Sequence, residues 1–161
     1  MLIIRGGFAP LRALGFLLLG LFEALLFRAY PLFTLREGLG FWPAAILLSL
    51  LFGAFHLTKP GENPIDLLNL VLLGLFLCFT VQRTGSVWFA VGFHAAFDFC
   101  ALFVYAAPNG GEVLVGHLLD GRFAGPACLT GGALGPEASL LMVPLIGLLF
   151  VLFNEAHTPS T

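Results

Sequence analysis

Charge is what this sequence has least of. Seven Lys or Arg and nine Asp or Glu make up 10% of its 161 residues, where a soluble domain carries about 25%. So few charges cannot clothe a water-exposed surface of this size, which excludes a soluble globular enzyme and a disordered tail. There is no basic run and the formal net charge is −2, so nucleic acid is excluded as a partner. Paired cysteines are lacking as well. Cys78 and Cys100 lie inside apolar runs as small hydrophobes and only Cys128 falls in a loop, so neither a disulfide framework nor a C-x-x-C site is expected. A phosphate-binding glycine loop, G-x-S-x-G, H-E-x-x-H and internal repeats are all absent. Without an inverted repeat, a transporter loses its usual signature.

Hydrophobicity is present in their place, at 59% apolar residues and a mean hydropathy of +1.01. It comes in five runs, 13–33, 41–57, 65–82, 87–105 and 139–153. Lipid leaves unpaired backbone groups unsatisfied, so each run reads as helix. The expected fold is all-α: a multi-pass transmembrane bundle of about five spans in one membrane domain, 1–161, placed in a bacterial cell membrane. Arg5 followed by an apolar run has the look of a signal peptide. That run holds Glu23 and reaches Arg28 without a small-residue cleavage site, so it reads as a mature helix. Turns are expected at 36–40, at 58–64 and at 83–86; the last run is short for a full crossing and holds Pro144 near its middle, which fits a span that is little tilted, kinked or only partly inserted. The Gly- and Pro-rich loop 106–138 is too apolar for a flexible linker and reads as packed on the membrane surface rather than as a lid. Tyr30, Trp42 and Trp88 at span ends on one face, with Tyr105 on the other, form an aromatic belt. Arg5, Arg12, Lys59 and Arg122, set against Arg36 and Arg83, favour a cytoplasmic N-terminus.

The informative residues are the ionisable ones inside the runs: Glu23, His56, His94 and Asp98. A charged group near the bilayer centre costs roughly 3 kcal/mol on insertion scales. Four such groups on three helices are best tolerated if they converge on one wet cavity. His94 and Asp98 share a helical face at i, i+4, and Phe52 stands beside His56 at the same spacing. Arg28 either snorkels to the head groups or is held by an acid on another helix, Asp98 being the one deep in a span. His117 and His157 are expected to take no part. A carboxylate beside an imidazole can activate water as a general base, and a second imidazole paired with Asp98 can donate to an oxyanion. Two His and a carboxylate could also hold zinc, although the two His come from separate helices. A proton relay through the same groups is a third possibility.

Glu23-Ala24-Leu25-Leu26-Phe27-Arg28, Phe52-Gly53-Ala54-Phe55-His56 and His94-Ala95-Ala96-Phe97-Asp98 resemble three motifs of the CAAX-protease and bacteriocin-processing (CPBP, or Abi) intramembrane proteases. Those motifs read E-E-x-x-x-R, F-x-x-x-H and H-x-x-x-N/D, and here they occur in order over a protease-like core at 14–105. The resemblance implies a helical bundle with a cavity open to one side of the membrane. It also implies endopeptidase activity on prenylated CaaX-type or other membrane-associated peptides. By the same resemblance Glu23 with His56 activates water, and His94 with Asp98 steadies the oxyanion. Arg28 and Phe52 support them, without a metal or other cofactor. Two departures stand out. Ala24 replaces the second motif Glu, and the chain starts shortly before the first motif helix, where members usually carry further helices. A short member, a fragment and a degenerate protein all fit. The alternatives are therefore a non-catalytic scaffold or bacteriocin self-immunity protein of the same fold, and a proton-coupled transport component.

Overall fold

Pro31 decides how the first apolar run is used. It has no N–H and its ring meets the carbonyl four residues back, so a helix cannot pass through it unbroken. The computed structural model describes residues 9–57 and 63–158, so Arg5 and Lys59 of the charge asymmetry lie outside the described residues, as do 58–62 of the second turn. Within them, the single span expected at 13–33 is two helices, α1 (Ala9–Phe27) and α2 (Tyr30–Leu39). At the joint, the N–H groups of Arg28 and Ala29 both donate to the Ala24 carbonyl at 2.8 Å. The turn expected at 36–40 shrinks to Gly40, whose φ of +80° suits a residue without Cβ. Tyr30 accordingly starts a helix rather than ending a span, and it leaves the aromatic belt.

The remaining long elements are α3 (Phe41–His56), α4 (Pro64–Thr84), α5 (Trp88–Asp98) and a π-helical turn at Phe99–Val104 that prolongs α5. After them come a four-residue helix α6 (Ala127–Thr130) and α7 (Met142–Ala156). Asn63 caps α4 by accepting from the N–H groups of Ile65 and Asp66 at 2.8 and 3.0 Å, and Gly85 closes it in a left-handed turn. Pro144 sits in the first turn of α7, where proline is tolerated, so of the alternatives left open for the last run a mid-helix kink drops out.

The described residues are all-helical in their regular structure, as the periodless apolar runs required. Two stretches are long and apolar enough to cross a bilayer, Ala9–Leu39 (31 residues, hydropathy 1.8) and Pro64–Thr84 (21 residues, hydropathy 2.1). Phe41–His56, Trp88–Val104 and Met142–Ala156 are apolar but shorter. At about 1.5 Å per residue they fall short of a core about 30 Å thick unless the bilayer thins or the ends snorkel. The five expected spans are thus two stretches of full length and three short ones. Leu18, Phe22, Leu50, Leu51, Leu148 and Leu152 stay half exposed on the outer surface, the pattern of a chain whose outer solvent is lipid. Helix α4 is the buried centre: Phe76, Leu77, Cys78 and Val81 meet Ala44, Ala45 and Leu48 of α3 and Ile146 of α7 in one core.

Helices α1 and α5 approach closely because Gly20 faces Val91 and Ala95. A Cβ at Gly20 would stand 3.1 Å from the Val91 carbonyl oxygen and 3.3 Å from the Ala95 nitrogen, the small-residue contact typical of membrane helices. At Gly15, five residues earlier on the same helix, an added Cβ meets nothing within 4 Å. Gly20→Val should therefore cost about 1–3 kcal/mol by overpacking, while Gly15→Val should leave the melting temperature nearly unchanged. Equal melts for the two variants in one detergent would refute the close approach.

Candidate active site

Depth along the helices is the first requirement for convergence, and Gly40 meets it. Glu23 lies 17 residues before Gly40 and His56 lies 16 after it, so an antiparallel pair turning at Gly40 brings the two to one level. Had the first helix ended near residue 33, His56 would have overshot. The break at Pro31 spends the extra residues in α2. Arg28 and Phe52, each 12 residues from Gly40, are level in the same way.

All four expected site residues are buried: Glu23 6% exposed, His56 7%, His94 7% and Asp98 8%. They line one cavity of about 80 Å³ together with Phe52, room enough for several waters. His94 stands at its centre. Its Nδ1 lies 3.4 Å from Glu23 Oε2 on α1, and its Nε2 lies 3.6 Å from Asp98 Oδ2 one turn further along α5. Both distances exceed those of a full hydrogen bond, as is common in an empty site before substrate tightens it. His56, the last residue of α3, has Nδ1 2.9 Å from the Phe52 carbonyl oxygen. The proton is therefore assigned to Nδ1, which donates, and Nε2 is left as an acceptor. The Phe52 ring lies 4.7 Å from the His56 ring and 6.1 Å from that of His94, so it separates and orients the two imidazoles. The π-helical turn begins at the residue after Asp98; such turns often mark functional positions.

Arg28 does not snorkel. It is 1% exposed, its guanidinium carbon lies 4.5 Å above the Phe52 ring centroid, and none of its three nitrogens has a hydrogen-bond partner among the described residues. Asp98 does not hold it either, being spent on His94. Ala24, one turn before Arg28, is itself 1% exposed. His117 pairs with Asp120 at 2.7 Å and His157 stacks on Phe153 at 4.0 Å; neither lines the cavity.

Two lining residues were not legible beforehand. Asn109 and Glu137, from opposite ends of the loop at 106–138, face the cavity and are joined by a 3.0 Å hydrogen bond from Asn109 Nδ2 to Glu137 Oε2. The loop therefore reaches into the site, and the expectation that it only covers membrane surface gives way. No spacing rule could have found them, because the path of an irregular loop is set by tertiary contacts. For a metal, the donor types are present, but among the described residues no three His, Cys, Asp or Glu side chains are grouped to hold an ion.

Residues 5–100 match the Type II CAAX prenyl endopeptidase Rce1-like family. Neither curated proteins nor solved structures give a match. The matched stretch carries Glu23, His56, His94 and Asp98 and spans more than half of the sequence. With two stretches of spanning length and an apolar outer surface, this chain belongs to the type II CAAX prenyl endopeptidase Rce1-like family, a family of integral membrane proteases.

Proposed function

We propose that this chain is an intramembrane endopeptidase that hydrolyses membrane-associated peptides, prenylated CaaX-type substrates first among them, by a glutamate-activated water. The observation that carries the reading is the convergence of Glu23, His56, His94 and Asp98, from three separate helices, on one cavity of water size. In the step we assign, the Glu23 carboxylate takes a proton from water while the water oxygen attacks the scissile carbonyl carbon. His56 Nε2 accepts the water's other hydrogen and so aims its lone pair. The carbonyl oxygen becomes an oxyanion and receives a hydrogen bond from a ring N–H of His94, which Asp98 orients. Collapse breaks the C–N bond, and the proton held by Glu23 passes to the departing amine. Asp98 is thus a positioning residue acting through His94.

The test is cleavage of a farnesylated peptide by purified protein in detergent, with the new terminus identified by mass spectrometry. His56→Ala should reduce turnover by about 100-fold or more, the usual worth of one proton-handling group. No cleavage by the wild type would overturn the reading. EDTA should leave turnover unchanged, since the step routes through no metal; loss with EDTA and rescue by zinc would replace Glu23 as the activator of water. One observation favours the scaffold reading instead. Ala24 leaves Arg28 buried with no hydrogen-bond partner among the described residues, as in a site relieved of selection, and a catalytically dead wild type with intact folding would support it.

A further inference from the structure

The mechanism above leaves Glu137 unused, although its side chain is half-buried and fronts the same cavity as the four catalytic groups. It is held in place from three directions. Its backbone carbonyl accepts from Asn69 Nδ2 at 2.7 Å, and that amide also donates to the Ser139 carbonyl at 2.8 Å. Its carboxylate accepts from Asn109 at 3.0 Å. At Gly135 (φ +101°) an added Cβ would lie 1.9 Å from the Pro108 carbonyl oxygen, so the two ends of the loop are pressed together just beside Glu137. Asn69 lies on α4, which ties this part of the loop to the centre of the bundle.

Among the described residues the charge around the cavity is one-sided: Glu23, Asp98 and Glu137 line it and no Lys or Arg does. Peptide hydrolysis makes two products of opposite charge: a carboxylate, which such a wall repels, and an amine, which becomes an ammonium once it has taken a second proton from solvent. A carboxylate only accepts hydrogen bonds, so Glu137 cannot steady an oxyanion, but it can receive the N–H groups of a departing amine. Glu137 fronts the same space of about 80 Å³ as Glu23 and His94, where the scissile amide would be bound. We propose that Glu137, positioned by Asn109 and Asn69, receives the leaving amine of the cleaved peptide bond and pairs with it as the ammonium forms. This role rests on the peptidase reading and adds to it a second carboxylate with a different task from that of Glu23.

An ester substrate of the same sequence separates the two, because its leaving group is an alcohol and never becomes a cation. Single-turnover rates on matched amide and ester peptides should show that Glu137→Gln lowers the amide-to-ester rate ratio by about 10- to 100-fold, the worth of one charge-assisted hydrogen bond. Gln keeps an oxygen for Asn109, so folding should be retained. Glu137→Asp, which keeps the charge, should recover most of the ratio. Equal slowing of both substrates by Glu137→Gln, or a Glu137→Asp no better than Gln, overturns the role while leaving the peptidase reading intact. Hydrolysis of neither substrate by the wild type overturns both.

Discussion

Glu23→Gln is expected to abolish peptide cleavage, by about three orders of magnitude, while expression, membrane insertion and melting temperature stay close to wild type. The substitution keeps the shape of the side chain and its capacity to accept a hydrogen bond, and removes only the base. Glu23 is 6% exposed and lies 3.4 Å from His94 Nδ1. Neutralising it lifts the cost of burying a charge and removes one of the two carboxylates flanking His94, two effects of opposite sign on stability. The assignment to Glu23 rather than to either histidine follows from what each nitrogen already does. His94 stands between two carboxylates, Glu23 at 3.4 Å and Asp98 at 3.6 Å, so its ring faces acceptors and is placed to donate. His56 Nδ1 donates to the Phe52 carbonyl. Of the carboxylates that line the cavity, Asp98 shares a helix with His94 and Glu137 accepts from Asn109, so the base is assigned to Glu23. Turnover within tenfold of wild type in Glu23→Gln would assign the base to another group and leave Glu23 the task of orienting His94.

The all-helical class and the grouping of the four ionisable residues were more legible than the element boundaries that bring them together. His94 and Asp98 were bound to share a face because four residues make about one helical turn, and the cost of charge in lipid pointed to convergence. What spacing within one helix cannot give is the level of residues on different helices. That level depended on Pro31 and Gly40, and the proline was visible: read as a stop, it would have divided the first run and placed the turn at Gly40 rather than over 36–40. Pro144 erred in the other direction. Ser139, Leu140 and Leu141 look like the start of the helix, yet α7 begins at Met142, so a proline that looked central lies in the first turn. The π-helical turn after Asp98 leaves no mark in composition, because it differs from α-helix by one residue of hydrogen-bond register. The loop residues Asn109 and Glu137 were beyond reach for a related reason: they are held by hydrogen bonds between distant parts of the chain.

Arg28 presents the other large energetic question. A fully buried guanidinium costs several kcal/mol in desolvation even after relaxation, and arginine does not shed its charge to avoid this. Its stacking on Phe52 at 4.5 Å returns about 2 kcal/mol when desolvated, which is less than the cost. Ala24 stands one helical turn earlier, equally buried, at the spacing from which a carboxylate would reach the guanidinium. Ala24→Glu is therefore expected to raise the melting temperature by several degrees, supplying a carboxylate within hydrogen-bond reach of the guanidinium, whose nitrogens have no hydrogen-bond partner among the described residues. Arg28→Met should also stabilise, because it keeps the apolar stem against Phe52 and removes the unpaired charge. The double variant, Ala24→Glu with Arg28→Met, should be the least stable of the four, since it buries a carboxylate with no cation beside it. Crowding by the new side chain enters both backgrounds alike, so the cycle isolates the pair, with an expected coupling of about 3–5 kcal/mol. Additivity within about 0.5 kcal/mol would mean that Arg28 already has its counter-charge and that Ala24 has cost this chain nothing.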